Sequence, residues 1–243
     1  MPDPGRFDDS GDIVLPRSRP TSTDGRAQTL VGGAPFDRAT LAAALRHAPR
    51  LVAADGGADA LLAAGLVPDL VVGDLDSISP AARAAFADRV VHVAEQDSTD
   101  FEKALRASPA PMTIAVGFLG ARIDHALACL SALARDRPAC VLLSEVDCVL
   151  MAPPELAMDL PRGARVSLWP MGPARGRSTG LRWPIDGLDL APDGRVGTSN
   201  VATGPIRLRL DGGPVALILP AAALPTALDA LAASPRGDGV ARL

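Results

Sequence analysis

Lysine is nearly missing from this sequence: of 24 basic residues only Lys103 is a lysine, and arginine supplies the rest. That bias, with the abundant alanine, reads as genomic base composition, and it singles out Lys103. Positive charge is also in deficit. The formal net charge of -4 argues against a nucleic-acid partner, which requires a basic surface. No apolar run approaches the roughly 20 residues of a membrane span. Asp and Pro stand where a signal peptide needs a basic and then an apolar region. Cysteine is scarce: Cys129, Cys140 and Cys148 lie in apolar stretches without paired or metal-type spacing. They read as core residues of a reducing compartment. The G-x-x-x-x-G-K-[ST] phosphate loop, the G-x-G-x-x-G dinucleotide fingerprint and the protein-kinase signatures are all absent. The expectation is a cytoplasmic protein with no nucleic-acid and no membrane partner, in which any nucleotide is held by other contacts.

What is present is a globular composition, 48% apolar and 21% charged over 243 residues, which suits one large or two small domains. Residues 1–27 are polar, rich in Pro, Asp, Ser and Arg, and aperiodic, which predicts a poorly ordered extension. Over residues 28–148 short apolar strands alternate with helical segments. "TLVGGAPF" leads into "DRATLAAALRHA" with Asp37 near its start, and "RLVAADGG" into a short helix closed by Gly65. "PDLVVGDLDS" precedes "PAARAAFAD", with Pro80 in the first turn; "RVVHVA" precedes "STDFEKALRAS"; "PMTIAVGF" precedes "RIDHALACLSALARD". This alternation predicts an α/β domain with a mainly parallel sheet flanked by helices. Over residues 149–243 the helical period disappears. "ARVSLWPM", "GLRWPI", "GLDLA", "VGTSNV", "PIRLRLD" and "PVALILP" read as strands of an antiparallel β-sandwich, followed by a last helix, "AALPTALDALAAS".

Every polar constellation of the first half sits where a strand gives way to a helix. A parallel sheet gathers such turns on its carboxyl edge, where ligands bind. In "GDLDS", Asp74 and Asp76 point the same way if the backbone stays extended past Gly73. Two carboxylates that close require a cation or a proton between them, and Mg2+ takes oxygen ligands that it shares with water and phosphate. The alternative is an ordinary solvated turn. In "DSTDFEKAL", Thr99 and Glu102 form a capping-box pattern and Asp100 suits the first turn, yet that helix start points to the same edge. Asp97 lies just before it. In "GFLGARIDH", Gly117 and Gly120 allow close backbone approach before a helix N-terminus, which suits phosphate. Arg122 adds a planar cationic fork, with Asp124 and His125 on the first turn; the plainer reading is a glycine turn with an exposed arginine. Gly32 and Gly33, and Asp55 with Gly56 and Gly57, complete the edge. In the second half Trp183 beside a turn either stacks on a flat or cationic ring or fills the sandwich core.

Taken in order, "DGG" from Asp55, "GDLDSI" from Gly73, "DSTDFEKAL" from Asp97, "GFLGARIDH" from Gly117, "TGLRWPI" from Thr179 and "GTSN" from Gly197 resemble the thiamine pyrophosphokinase (thiamine diphosphokinase) family. The resemblance implies a Mg2+-dependent enzyme that moves a diphosphate from ATP to the hydroxyethyl group of thiamine, giving thiamine diphosphate and AMP. It implies a homodimer with the active site at the subunit interface, a nucleotide-binding catalytic domain over 28–148 and a thiamine-binding sandwich over 149–243. Residue by residue, it assigns Mg2+ to Asp74, Asp76 and Asp100, and phosphate and substrate positioning to Arg122 and Asp124. The ATP side falls to Gly32, Gly33, Asp55, Gly56, Gly57, Asp97, Lys103, Gly117 and Gly120, and thiamine to Trp183, Ser199 and Asn200. Asp97 or Asp124 is the candidate base for the hydroxyl proton, unless a metal-bound network suffices. Phe118, Ala121 and Ala34 depart from the family pattern at positions where smaller residues or glycines are common. The alternatives are a related diphosphokinase acting on another heteroaromatic alcohol such as a pterin, and a non-catalytic nucleotide-binding module.

Overall fold

The computed structural model describes residues 25–120, 122–136 and 138–234. Most of the extension expected over 1–27, Ala121, and the tail after the last helix lie outside the described residues. The chain divides into two compact units, Met1–Val146 and Asp147–Leu243.

The first unit runs β1 (Gln28–Val31), α1 (Arg38–His47), β2 (Arg50–Ala54), α2 (Gly57–Ala63), β3 (Leu70–Gly73), α3 (Pro80–Ala85), β4 (Val90–His92), α4 (Asp100–Ala107), β5 (Thr113–Val116), α5 (Ile123–Asp136) and β6 (Cys140–Leu143). Its strands lie in the order β4-β3-β2-β1-β5-β6, every neighbouring pair parallel. Strand order reverses at β1 and β5, the place where open α/β sheets leave a crevice. Helix starts follow local chemistry. Asp37 accepts from the Thr40 amide at 2.7 Å, and Ser79 from the Ala82 amide at 3.1 Å with Pro80 next in line. Thr99 and Glu102 form both halves of the capping box. Gly65, at φ +71, ends the α2 segment as expected.

Side chains alternate across the sheet. Val31, Leu51, Ala53 and Val71 join Leu41, Leu45, Leu61 and Phe86 in one buried cluster with α1, α2 and α3. Their neighbours Val52, Ala54 and Val72 turn the other way, and α4 packs on β2 and β3. At the amino edge a buried polar network ties the strands together. Arg50 Nη1 donates to Gln28 Oε1 at 2.6 Å and to Ser108 Oγ at 2.7 Å, and Gln28 Nε2 donates to the Ser108 carbonyl at 2.7 Å.

The second unit contains β7 (Asp147–Met151), β8 (Glu155–Met158), β9 (Arg165–Pro170), β10 (Ala174–Leu181), β11 (Gly197–Gly212), β12 (Val215–Pro220) and α6 (Leu224–Ala233). All its strand pairs are antiparallel: β7 with β12, β12 with β9, β9 with β11, and β11 with both β10 and β8. Three details differ from expectation. "VGTSNV" and "PIRLRLD" are one 16-residue strand, because β11 pairs with β9 up to Val201 and with β10 from Ala202, spanning its Gly204-Pro205 step at an irregularity in register. "GLRWPI" leaves the ladder after Leu181, and in "GLDLA" only Leu190 makes isolated bridges. β8 has no counterpart among the expected strands, because its alternation, Leu156 and Met158 in and Glu155 and Ala157 out, lasts only four residues.

Candidate active site

Asp55 leaves β2 at φ +40 and is 1% exposed. Its carboxylate lies against β3, and Gly73 makes that possible: a Cβ there would stand 2.8 Å from the Asp55 side chain. The extended backbone expected past Gly73 does not occur. Leu75 takes φ +68, a left-handed conformation rare for a leucine, and the chain folds back so that the Asp76 amide donates to Asp74 Oδ1 at 3.3 Å. The turn still brings carboxylates together, with one oxygen each of Asp55, Asp74 and Asp76 within 4.8 Å of one another. Ser77 braces them, its amide donating to Asp55 Oδ2 at 2.9 Å and its hydroxyl to Asp76 Oδ1 at 2.9 Å.

Asp100 reaches this cluster through Lys103. The lysine Nζ lies 2.7 Å from Asp74 Oδ2 and 3.4 Å from Asp100 Oδ1, and its side chain is only 2% exposed. Gln96, not anticipated from sequence, donates to the same Asp74 oxygen at 3.0 Å. The electrostatics follow. Burial pushes the Asp55 carboxyl up, and the charges of Asp100, Asp74 and Asp76 add to the push against a lowering bond from Ser77. Asp74 is held below the ordinary carboxylate range, chiefly by its bond to Lys103. Burial raises Asp100, partly offset by Lys103. Burial alone would depress the lysine, but Asp74 and Asp100 together hold it above its usual value.

The remaining candidates are distributed around the same edge. Asp97 is exposed in a turn organised by Glu95, whose carboxylate accepts from the Asp97 amide at 2.8 Å and the Ser98 amide at 3.0 Å. Gly32 and Gly117 back onto each other at the switch point: a Cβ on Gly32 would meet the Gly117 carbonyl at 2.5 Å. Gly57 lies under the Val31 carbonyl, where a Cβ would come within 2.0 Å. Gly33 neighbours Gly56, and Gly120 faces open space at φ +100. Phe118 has a packing role, edge-on to Phe101 with ring centroids 4.9 Å apart. Ala34 donates its amide to the Gly117 carbonyl at 2.9 Å. An open cavity of about 680 Å³ beside Gly33 is lined by Phe36, Arg38, Leu41 and Leu66 and contains none of the cluster carboxylates.

Arg122 and Asp124 grip each other. The pair is bidentate, at 3.1 Å from Nε and 2.5 Å from Nη2, and both side chains are exposed. The guanidinium holds the Asp124 carboxyl down at about 2. His125 is exposed on the next helical position.

In the second unit Trp183 is 53% exposed and so is no core residue. The Arg182 guanidinium sits 5.0 Å from the centroid of its ring. Asn200, 4% exposed, fixes the Trp183 backbone: its Oδ1 accepts from the Trp183 amide at 3.1 Å and its Nδ2 donates to the Trp183 carbonyl at 2.6 Å. Ser199 takes φ +59, and its amide donates to Ser167 Oγ at 2.9 Å.

Comparison with known proteins bears on this arrangement. Residues 41–142 match the family described as thiamin pyrophosphokinase, catalytic domain, a span that contains Asp55, the Asp74–Asp76 turn, Asp100, Lys103 and Arg122. Over that span the chain is similar to the thiamine pyrophosphokinase family. It is 28% identical over 155 residues to thiamine pyrophosphokinase 1 of Oryza sativa subsp. japonica, a stretch covering 55% of this chain and 59% of the rice protein. The match thus spans about three-fifths of that relative's length. Among solved structures, thiamine pyrophosphokinase from Bacillus subtilis superposes with a TM-score of 0.68 at 22% identity, over 80% of this chain and 99% of that one. The Candida albicans thiamin pyrophosphokinase gives 0.69 at 16% identity, over 82% and 90%. At these identities the structural likeness establishes the fold.

Proposed function

We propose that the protein is a thiamine diphosphokinase that transfers a diphosphate from ATP to thiamine with the help of Mg2+. The observation that carries this reading is Asp55, whose buried Oδ1 has no hydrogen-bond partner and one of whose carboxylate oxygens lies within 4.8 Å of oxygens of Asp74 and Asp76. An orphaned anionic oxygen among like charges fits a bound divalent cation, and an all-oxygen donor set fits Mg2+. Asp55, Asp74 and Asp76 would hold the ion, with Asp100 approaching from α4. Bound there, Mg2+ supplies neutralisation of the phosphate oxygens.

The chain's own groups do the positioning. The thiamine hydroxyl oxygen forms a bond to the β-phosphorus of ATP and releases its proton to solvent, the bond from that phosphorus to the α,β-bridging oxygen breaks, and AMP leaves with the electron pair. Such a transfer is mainly a matter of in-line placement and electrostatics. Arg122 offers a fork that exchanges Asp124 for phosphate oxygens. Asp124, held low while it pairs with Arg122, is a weak proton acceptor at neutral pH. The glycine-lined edge and the cavity beside Gly33 serve the nucleotide. Trp183 is the proposed wall for thiamine, whose thiazolium is cationic; its ring face already takes the Arg182 guanidinium. Asn200 sets the backbone that presents it, and Ser199 is the adjoining residue proposed for thiamine. A homodimer with its active site at the subunit interface, and a cytoplasmic setting consistent with three buried free thiols, complete the proposal. Among the described residues no helix is long and apolar enough to cross a membrane.

The test is a single incubation of protein, thiamine, ATP and Mg2+. Equal amounts of AMP and thiamine diphosphate are expected; ADP as product, or turnover without thiamine, sinks the proposal. Asp74→Asn and Asp76→Asn should each lower kcat by about 100-fold or more with an unchanged circular dichroism spectrum.

A further inference from the structure

Lys103 is buried with the carboxylates rather than displayed to solvent, and a buried ammonium is tolerated only when paired. Its position is set by the helix that carries it. The capping box fixes the start of α4, and Asp100 and Lys103 lie three residues apart on one helical face. From there Nζ bridges Asp74 and Asp100, and the oxygens of the cluster divide accordingly. Asp74 Oδ2 is taken by Lys103 and Gln96, and Asp55 Oδ2 by the Ser77 amide. Asp55 Oδ1 is left without a hydrogen-bond partner, in a carboxylate that has one oxygen within 4.8 Å of oxygens of Asp74 and Asp76.

We propose that Lys103 is a built-in cation of the site, standing between Asp74 and Asp100 so that the carboxylates accept one divalent ion, on the Asp55–Asp74–Asp76 side. The proposal rests on reading that cluster as a divalent-cation site. One ammonium and one divalent ion meet the four carboxylates to within a single charge. Without the ammonium a second divalent ion is needed to come as close. Lysine suits the role because its charge is compact and its three donors can be shared between two carboxylates. Lys103 is on this view a positioning residue, which ties Asp74 Oδ2 to Asp100 Oδ1 and fixes where the two carboxylates stand beside the ion.

The sole lysine makes the test direct. Full-length protein grown on 15N-labelled lysine shows one side-chain ammonium signal, which should shift during addition of the first equivalent of Mg2+ and then stay put. At saturation it should remain a slowly exchanging, hydrogen-bonded ammonium. Mn2+ counted by electron paramagnetic resonance should give one tight ion per chain in the wild type, two in Lys103→Met, and one again in Lys103→Arg. Release of the ammonium at saturating Mg2+, two tight ions in the wild type, or one in a folded Lys103→Met overturns the role of Lys103 alone. No divalent binding by the wild type overturns it together with the metal site of the proposed function. Should Lys103→Met fail to fold, the wild-type signal and ion count decide.

Discussion

Asp55 concentrates the tension of the site at the scale of one residue. Its carboxyl is raised above the usual 3.8 by burial and by neighbouring acids. A folded-state value above the unfolded one means that ionisation is penalised in the fold. Stability is therefore gained as pH falls through the raised value, and the penalty persists at neutral pH whenever no cation is bound. Asp55→Asn removes that penalty, keeps an acceptor for the Ser77 amide and presents an amide donor to the carboxylates. Its melting temperature at neutral pH in a chelator should exceed that of the wild type, and its stability should change less with pH just above 3.8. With Mg2+ added the order should reverse. A lower melting temperature in the chelator would contradict the assignment. Leu75 belongs to the same scale. Among the described non-glycine residues only Asp55, Leu75 and Ser199 have positive φ, and all three lie in or beside candidate site segments. Such strain persists where surrounding structure demands it.

At the scale of elements, α4 does the most. It supplies Asp100 and Lys103 to the cluster, and Glu102, besides completing the capping box, is ion-paired with Arg135 of α5. The helix is short, so its first turn sets where Lys103 stands. Thr99→Ala should cost about 1 kcal/mol in denaturant unfolding, the usual cost of a lost N-cap. It should also weaken Mg2+ binding, because the ammonium and Asp100 move with the helix start. A stability loss with unchanged Mg2+ affinity would show that the cap serves the helix only. By contrast, the Arg122–Asp124 pair lies on the surface, where salt and water screen it. Asp124→Asn should leave the melting temperature unchanged.

At the scale of the whole molecule, burial settles the chemistry of the three cysteines. Cys129 and Cys148 are buried and their thiols are pushed up to about 12, and Cys140 is pushed up as well, in each case chiefly by burial. Thiolate is the reactive form. A thiol reagent at neutral pH should therefore find no reactive cysteine in the native protein and three after unfolding; rapid labelling of the native chain would show that one of the cores opens readily. Metal binding acts at this scale too. Mg2+ should raise the melting temperature with concentration, as any ligand of the native state does, and should lose that effect in Asp76→Asn.

The sequence alone determined the first unit's parallel α/β plan, its helix starts near Asp37, Pro80 and Thr99, and the gathering of acidic and glycine turns on one sheet edge. These follow from periodicity and capping, which act within a few residues, and from the rule that parallel strands share an edge. Only the tertiary structure decided how the carboxylates meet. The bond from the Ser77 amide to Asp55 spans 22 residues and that from Lys103 to Asp74 spans 29, so no local pattern reveals them. The left-handed turn at Leu75, the orphaned oxygen of Asp55, the mutual grip of Arg122 and Asp124, and the fusion of two apparent strands into β11 were equally hidden. Apart from the exposed Arg122–Asp124 pair, these are settled by how distant segments approach and by which buried groups are left to pair.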